Sequence, residues 1–137
     1  MTLKSIIFLL LSLATPWLSA AELGQVSAEQ LQVMQQNQQA PVVDIRTEAE
    51  WQATGIIPNS MKLQSFNGEG EFDSAKWLAD LQKMKTSPDQ PVILVCRSGN
   101  RSSKVGEFLI QQGMTKVYHL NNGIQSWIKS GLPVKPD

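Results

Sequence analysis

An α/β fold, with a central and mostly parallel sheet covered by helices on both faces, is predicted by three features of the 137-residue sequence. Apolar runs of strand length alternate with segments of helical periodicity. Most of those runs are short and continuously apolar, as expected of strands buried on both sides. One of them, Pro91–Val95, passes through a polar loop straight into a helical segment. In open parallel sheets, that is the place where ligands bind, beyond the carboxyl ends of the strands.

The elements follow in order. Ser27 and Gln30 fit a capping box that opens a helix running to about Asn37, with Leu31 and Met34 on its inner face. Pro41–Ile45 reads as a buried strand. Thr47 and Glu50 form a second capping box, opening a short helix that turns Trp51 inward and stops at Gly55. A turn over 56–60 leads to a strand at 61–63, and the two-glycine stretch 67–70 is a loop. Asp73 or Ser74 caps a helix through Met84, with Trp77, Leu78 and Leu81 at helical spacing. The strand Pro91–Val95 delivers Cys96. A helix over Ser103–Gln112 follows, closed by Gly113, with Val105, Phe108 and Leu109 inward. Lys116–Leu120 is a last strand. Ile124–Ser130 is a last helix, packing Trp127 and ending at Gly131.

Residues 1–21 stand apart from this pattern. Lys4 provides a positive start, Ile6–Leu13 an apolar stretch, and Ser19-Ala20-Ala21 small residues suited to cleavage before Glu22. The apolar stretch is short of the roughly 20 residues that span a bilayer. Residues 1–21 are therefore expected to be a cleaved signal peptide. Residues 22–137 are expected to be one domain, periplasmic or secreted and free of the membrane after cleavage. A formal net charge of +0 offers no broad surface for nucleic acid.

Cys96 is the single cysteine. An exported chain with one thiol can form no internal disulfide, so either an intermolecular bridge or a reactive group is implied. The segment Cys96-Arg97-Ser98-Gly99-Asn100-Arg101-Ser102-Ser103 sets that thiol at the first position of a loop between strand and helix. Backbone N–H groups, a helix N-terminus and two arginines then surround the sulfur, a setting that binds anions and favours the thiolate. Arg97 and Arg101 can hold an anionic donor through charge-assisted hydrogen bonds. The N–H groups from Arg97 to Ser102 can cradle charge on the sulfur. Gly99 permits a positive φ or close packing within the loop, and Ser102 and Ser103 are also suited to capping the helix. The only histidine, His119, lies in another strand and reads as a surface or strand-end residue, so no histidine base is expected.

Four segments resemble, in order, the motifs of the rhodanese family of sulfurtransferases. Asp44-Ile45-Arg46 with Glu50-Trp51 is similar to the first. Gly55–Ser60 resembles the Gly-His-Ile-Pro-Gly-Ala turn, with Ile56, Asn59 and Ser60 as departures. Cys96–Arg101 resembles the active-site loop. Asn122-Gly123 with Trp127, Gly131, Leu132 and Pro133 resembles the closing motif, with Asn122 in place of its first glycine. The resemblance spans roughly Val26–Val134 and implies a three-layer rhodanese-like fold. It also implies double-displacement sulfur transfer through a Cys96 persulfide, with Arg97, Ser98, Gly99, Asn100, Arg101 and Ser102 binding the substrate. It assigns Asp44, Arg46 and Glu50 a structural role, with Arg46 paired to Glu50. The expected partners are an anionic sulfur donor such as thiosulfate and a thiol or cyanide acceptor, and a protein sulfur acceptor is an open alternative. No cofactor or metal is implied.

Two rival functions remain in view. A phosphatase or arsenate reductase of related fold would resemble a loop of cysteine, five residues and arginine, whereas four residues separate Cys96 from Arg101. A carrier module would use the same residues but hand its persulfide only to a protein partner. The absence of a Cys-x-x-Cys pair argues against a disulfide isomerase.

Overall fold

The computed structural model describes residues 15, 20–37, 40–87 and 89–137. Apart from residues 15, 20 and 21, the expected signal segment lies outside the described residues. Ten elements alternate: β1 (Gly24–Val26), α1 (Ala28–Asn37), β2 (Val42–Asp44), α2 (Glu48–Thr54), β3 (Met61–Lys62), α3 (Ser74–Met84), β4 (Val92–Val95), α4 (Asn100–Gln111), β5 (Val117–Leu120) and α5 (Gly123–Lys129). The strands form one sheet in the order β1-β5-β4-β2-β3, parallel throughout.

The expected caps are present. Ser27 Oγ accepts from the Gln30 N–H at 3.1 Å, and Gln30 Oε1 accepts from the Ser27 N–H at 2.8 Å. Thr47 and Glu50 make the same reciprocal pair. Asp73, rather than Ser74, caps α3 by accepting from the Lys76 N–H. Two elements differ from the sequence reading. β1 carries too few apolar residues to register as a strand, and exists because it pairs with β5 from Gly24↔Tyr118 to Val26↔Leu120. α4 starts at Asn100, three residues before the expected Ser103, because Gly99 takes φ 103° and lets the chain turn at once into the helix.

Side chains on successive strand residues face opposite sides, and the sheet has an apolar layer on each. On one face, Ile93 and Val95 of β4 pack with Leu31 of α1 and with Ile124 and Trp127 of α5. On the other, Val92, Leu94 and Cys96 pack with Trp77 and Leu81 of α3 and with Val105 and Leu109 of α4. Cys96 thus ends the central strand on the α3/α4 face. The chain leaves β2 outward toward β3 and leaves β4 outward toward β5, so the crevice between β2 and β4 is the topological switch point. Cys96 sits there.

Candidate active site

Asp44 and Arg46 build the floor beside β4. β2 ends at Asp44, and the chain bends at Arg46 so that the Arg46 N–H donates to Asp44 Oδ1 at 3.1 Å, which brings the two side chains together. Arg46 Nη2 donates to Asp44 Oδ2 at 2.8 Å, and Nε donates to both carboxylate oxygens, with each residue 1% exposed. The rest of the guanidinium donates to Gly55 O at 2.9 Å and Thr54 Oγ1 at 2.8 Å, fastening the end of α2 to the end of β2. The expected Arg46–Glu50 ion pair is therefore not formed; Arg46 meets only the Glu50 backbone carbonyl, at 3.4 Å. Removing one partner of a buried pair leaves the other charge uncompensated and costs about 3–5 kcal/mol. Asp44→Ala is accordingly expected to lower unfolding stability by that amount in urea titration, and a loss under about 1 kcal/mol would contradict the assigned role.

Glu50 instead spans the crevice. Its carboxylate accepts from Arg101 Nη1 at 2.7 Å and Nη2 at 2.8 Å, a bidentate pair between α2 and α4. Oε1 also accepts from the Thr47 N–H in the capping box. The Arg101 hydrogen bonds hold the Glu50 carboxyl below its usual range, against partial burial that acts the other way. Arg101 is raised reciprocally, first by Glu50 and more weakly by Cys96. Two of its nitrogens are thus committed to Glu50, which anchors α4 and partly neutralises one of the two cations expected to bind a donor. Arg97, Ser98 and Asn100 are exposed at the rim of the loop, and Arg97 is the cation left facing solvent.

The thiol lies beneath that rim, with Cys96 1% exposed. Its Sγ receives the Gly99 N–H at 3.1 Å and the Ser102 N–H at 3.4 Å, and the Ser102 hydroxyl stands 3.3 Å away. The loop thus turns amide donors onto the sulfur, as its sequence predicted. The other side of the loop is held by α5: the Ile124 N–H donates to Cys96 O at 2.8 Å, and the Gln125 N–H to Arg97 O at 3.3 Å. Gly123 makes this approach possible. A Cβ there would lie 2.3 Å from Arg97 C and O. A groove of about 300 Å³ opens beside the loop, with Arg97, Glu50, Ile124, Gln125 and Ile128 among its lining residues.

His119 departs from its sequence reading. It is 4% exposed, and its Nδ1 lies 3.0 Å from Ser102 Oγ. Ser102, wholly buried, does not cap α4; its hydroxyl bridges Gly99 O, Cys96 Sγ and His119. A signal for His119 was present. Two residues from the buried Val117, it faces the same side of the sheet as Cys96. The first-motif residues and the loop residues meet at one strand end, and His119 joins them from β5.

A family model for the rhodanese-like domain matches residues 27–130. A sulfurtransferase of Allochromatium vinosum is 36% identical over 93 residues, covering 68% of this chain and 76% of the relative. The thiosulfate sulfurtransferase GlpE of Glaesserella parasuis is 25% identical over 111 residues, covering 81% and 92%. Among solved structures, a rhodanese-related protein from Thermoplasma volcanium superposes with a TM-score of 0.64 at 28% identity, covering 83% of this chain and 99% of that one.

Proposed function

The chain belongs to the rhodanese-like domain family, and from that membership and the loop geometry we propose a thiosulfate-type sulfurtransferase that works through a Cys96 persulfide. The observation that carries the reading is the Cys96 sulfur held by two backbone N–H groups in a loop that closes within four residues on Arg101. Donors aimed at a sulfur favour negative charge there, both on the attacking thiolate and on the persulfide that replaces it.

The thiolate of Cys96 attacks the outer sulfur of thiosulfate. The sulfur–sulfur bond of the donor breaks, and sulfite leaves with its electron pair. A cyanide ion or thiolate then attacks the outer sulfur of the persulfide, and Cys96 leaves as thiolate. Arg97, exposed at the groove, meets the sulfonate end of the donor. The apolar side of the same groove, Ile124 and Ile128, gives room for the body of an acceptor, either a small thiol or a segment of an acceptor protein. The leader-like residues 1–21 support export to the periplasm or beyond.

Mass spectrometry tests this reading. Incubation with thiosulfate is expected to add about 32 Da, one sulfur atom, to the peptide bearing Cys96. Cyanide is expected to remove that mass and release thiocyanate. Hydrolysis of phosphate esters with no mass gain on Cys96 would overturn it.

A further inference from the structure

The buried contact between His119 and Ser102 has no part in the sulfur chemistry above. Ser102 Oγ carries one proton and has three neighbours: Cys96 Sγ at 3.3 Å, Gly99 O at 3.2 Å and His119 Nδ1 at 3.0 Å. Gly99 O can only accept. Sγ and Nδ1 can each accept or donate, depending on protonation. Two closed chains are therefore possible. With Cys96 as thiol, S–H donates to Oγ and the hydroxyl donates to an unprotonated Nδ1. With Cys96 as thiolate, Nδ1–H donates to Oγ and the hydroxyl donates to the sulfur.

We propose that His119 is a positioning residue that accepts the proton of Cys96 through the Ser102 hydroxyl, reversing this chain of hydrogen bonds when the thiolate forms. The step balances with water as the final acceptor of the proton. The S–H proton passes to Oγ as the Oγ proton passes to Nδ1, leaving a thiolate and an imidazolium. The imidazolium then yields the proton on its other nitrogen to water, and a neutral Nδ1–H ring remains. On discharge of the persulfide, the same chain can return a proton to Cys96. The inference rests on Cys96 reacting as a thiolate, as the proposed function requires.

The surroundings of the ring favour passage of the proton over its retention. Burial holds the imidazole below its usual range, while Glu107 pulls in the opposite direction. Glu107 is the charged group of α4 that bears on the ring, and Arg101 of the same helix bears on the sulfur. The strands on either side, β1 and β4, place the uncharged Gln25 and Leu94 in register with His119. A ring so placed gives up a second proton readily, yet donates or accepts at Nδ1 with equal geometry.

Nitrogen NMR of the chain's single histidine tests the coupling in the unaltered protein and needs no sulfur donor. A failure to use thiosulfate therefore refutes the proposed function and leaves this test standing. The Nδ1 resonance is expected to move from the acceptor to the N–H position over the same pH range in which ultraviolet thiolate absorbance appears. In Cys96→Ala that movement should vanish; an identical Nδ1 titration in both proteins overturns the proposal. As a second arm, His119→Leu and Ser102→Ala are each expected to move the thiolate absorbance about one pH unit upward, a roughly tenfold smaller thiolate fraction below it. The double variant should move it no further than either single one, because both cut the same chain. An unmoved midpoint in His119→Leu, or additive shifts, would overturn the relay.

Discussion

Cys96→Ala is expected to fold and to lose sulfur transfer entirely, with no mass gain from thiosulfate and no thiocyanate released. The proposed reaction stores the transferred sulfur in a covalent bond to Sγ, and the sequence contains no second thiol to take over. The fold is expected to survive because the change removes a small volume from the layer shared with Val105 and Leu109 and the acceptor of two loop amides, Gly99 and Ser102, with no charge left buried. Truncation of so small a side chain, with its amide donors left unpaired, costs about 1–3 kcal/mol. Serine is the complementary control: its hydroxyl can accept from the same amides but cannot carry the transferred sulfur. Urea titration alongside the assay separates the two effects. Residual turnover in the alanine variant would place the chemistry elsewhere and refute the persulfide mechanism.

Gly123→Ala is the second change expected to be severe, although its side chain would never meet the substrate. Gly123 sits at φ 61° with Cys96 O 2.5 Å and Arg97 O 2.3 Å from where a Cβ would lie. These are backbone atoms of the cysteine loop, fixed on their other side by the amides that point at the sulfur, and they cannot rotate away. The first turn of α5 and the loop must therefore separate, breaking the Ile124 N–H bond to Cys96 O. Displacing a catalytic loop by about 1 Å costs on the order of 100-fold in rate, and that loss is the expected result in the thiosulfate assay. Gly131→Ala is the matched control, since Gly131 has φ 75° and open space around its Cβ position. It carries the left-handed strain of about 1–2 kcal/mol without the collision. Equal activities in the two variants would show that α5 does not hold the loop.

Much of this architecture was written locally. The Thr47–Glu50 capping box, the run Val92–Val95 and the strand–loop–helix around Cys96 each involve residues within a few positions of one another. Their hydrogen bonds and periodicities follow from chain order alone. The Asp44–Arg46 pair is also local, because an aspartate side chain readily accepts from the backbone N–H two residues on and so turns Arg46 toward it. The resemblance-based pairing of Arg46 with Glu50 obscured it. α4 starts ahead of Ser102 and Ser103 because Gly99, at φ 103°, turns the chain before them.

What the sequence by itself determined was the α/β alternation, the position of the thiol beyond a buried strand, and the amide cradle that follows from a tight loop entering a helix. The tertiary structure alone decided which distant groups complete the site. Arg101 meets Glu50 across 51 positions, Ser102 meets His119 across 17, and Gly123 closes on Arg97. These contacts depend on strand order: β4 lies between β2 and β5, so the residues at the ends of all three strands converge on one sulfur. Periodicity tells which face a residue takes, but strand neighbours are chosen by packing over the whole sheet. For that reason Cys96 could be read from the chain, while the hydroxyl and imidazole behind it became visible only once the sheet was assembled.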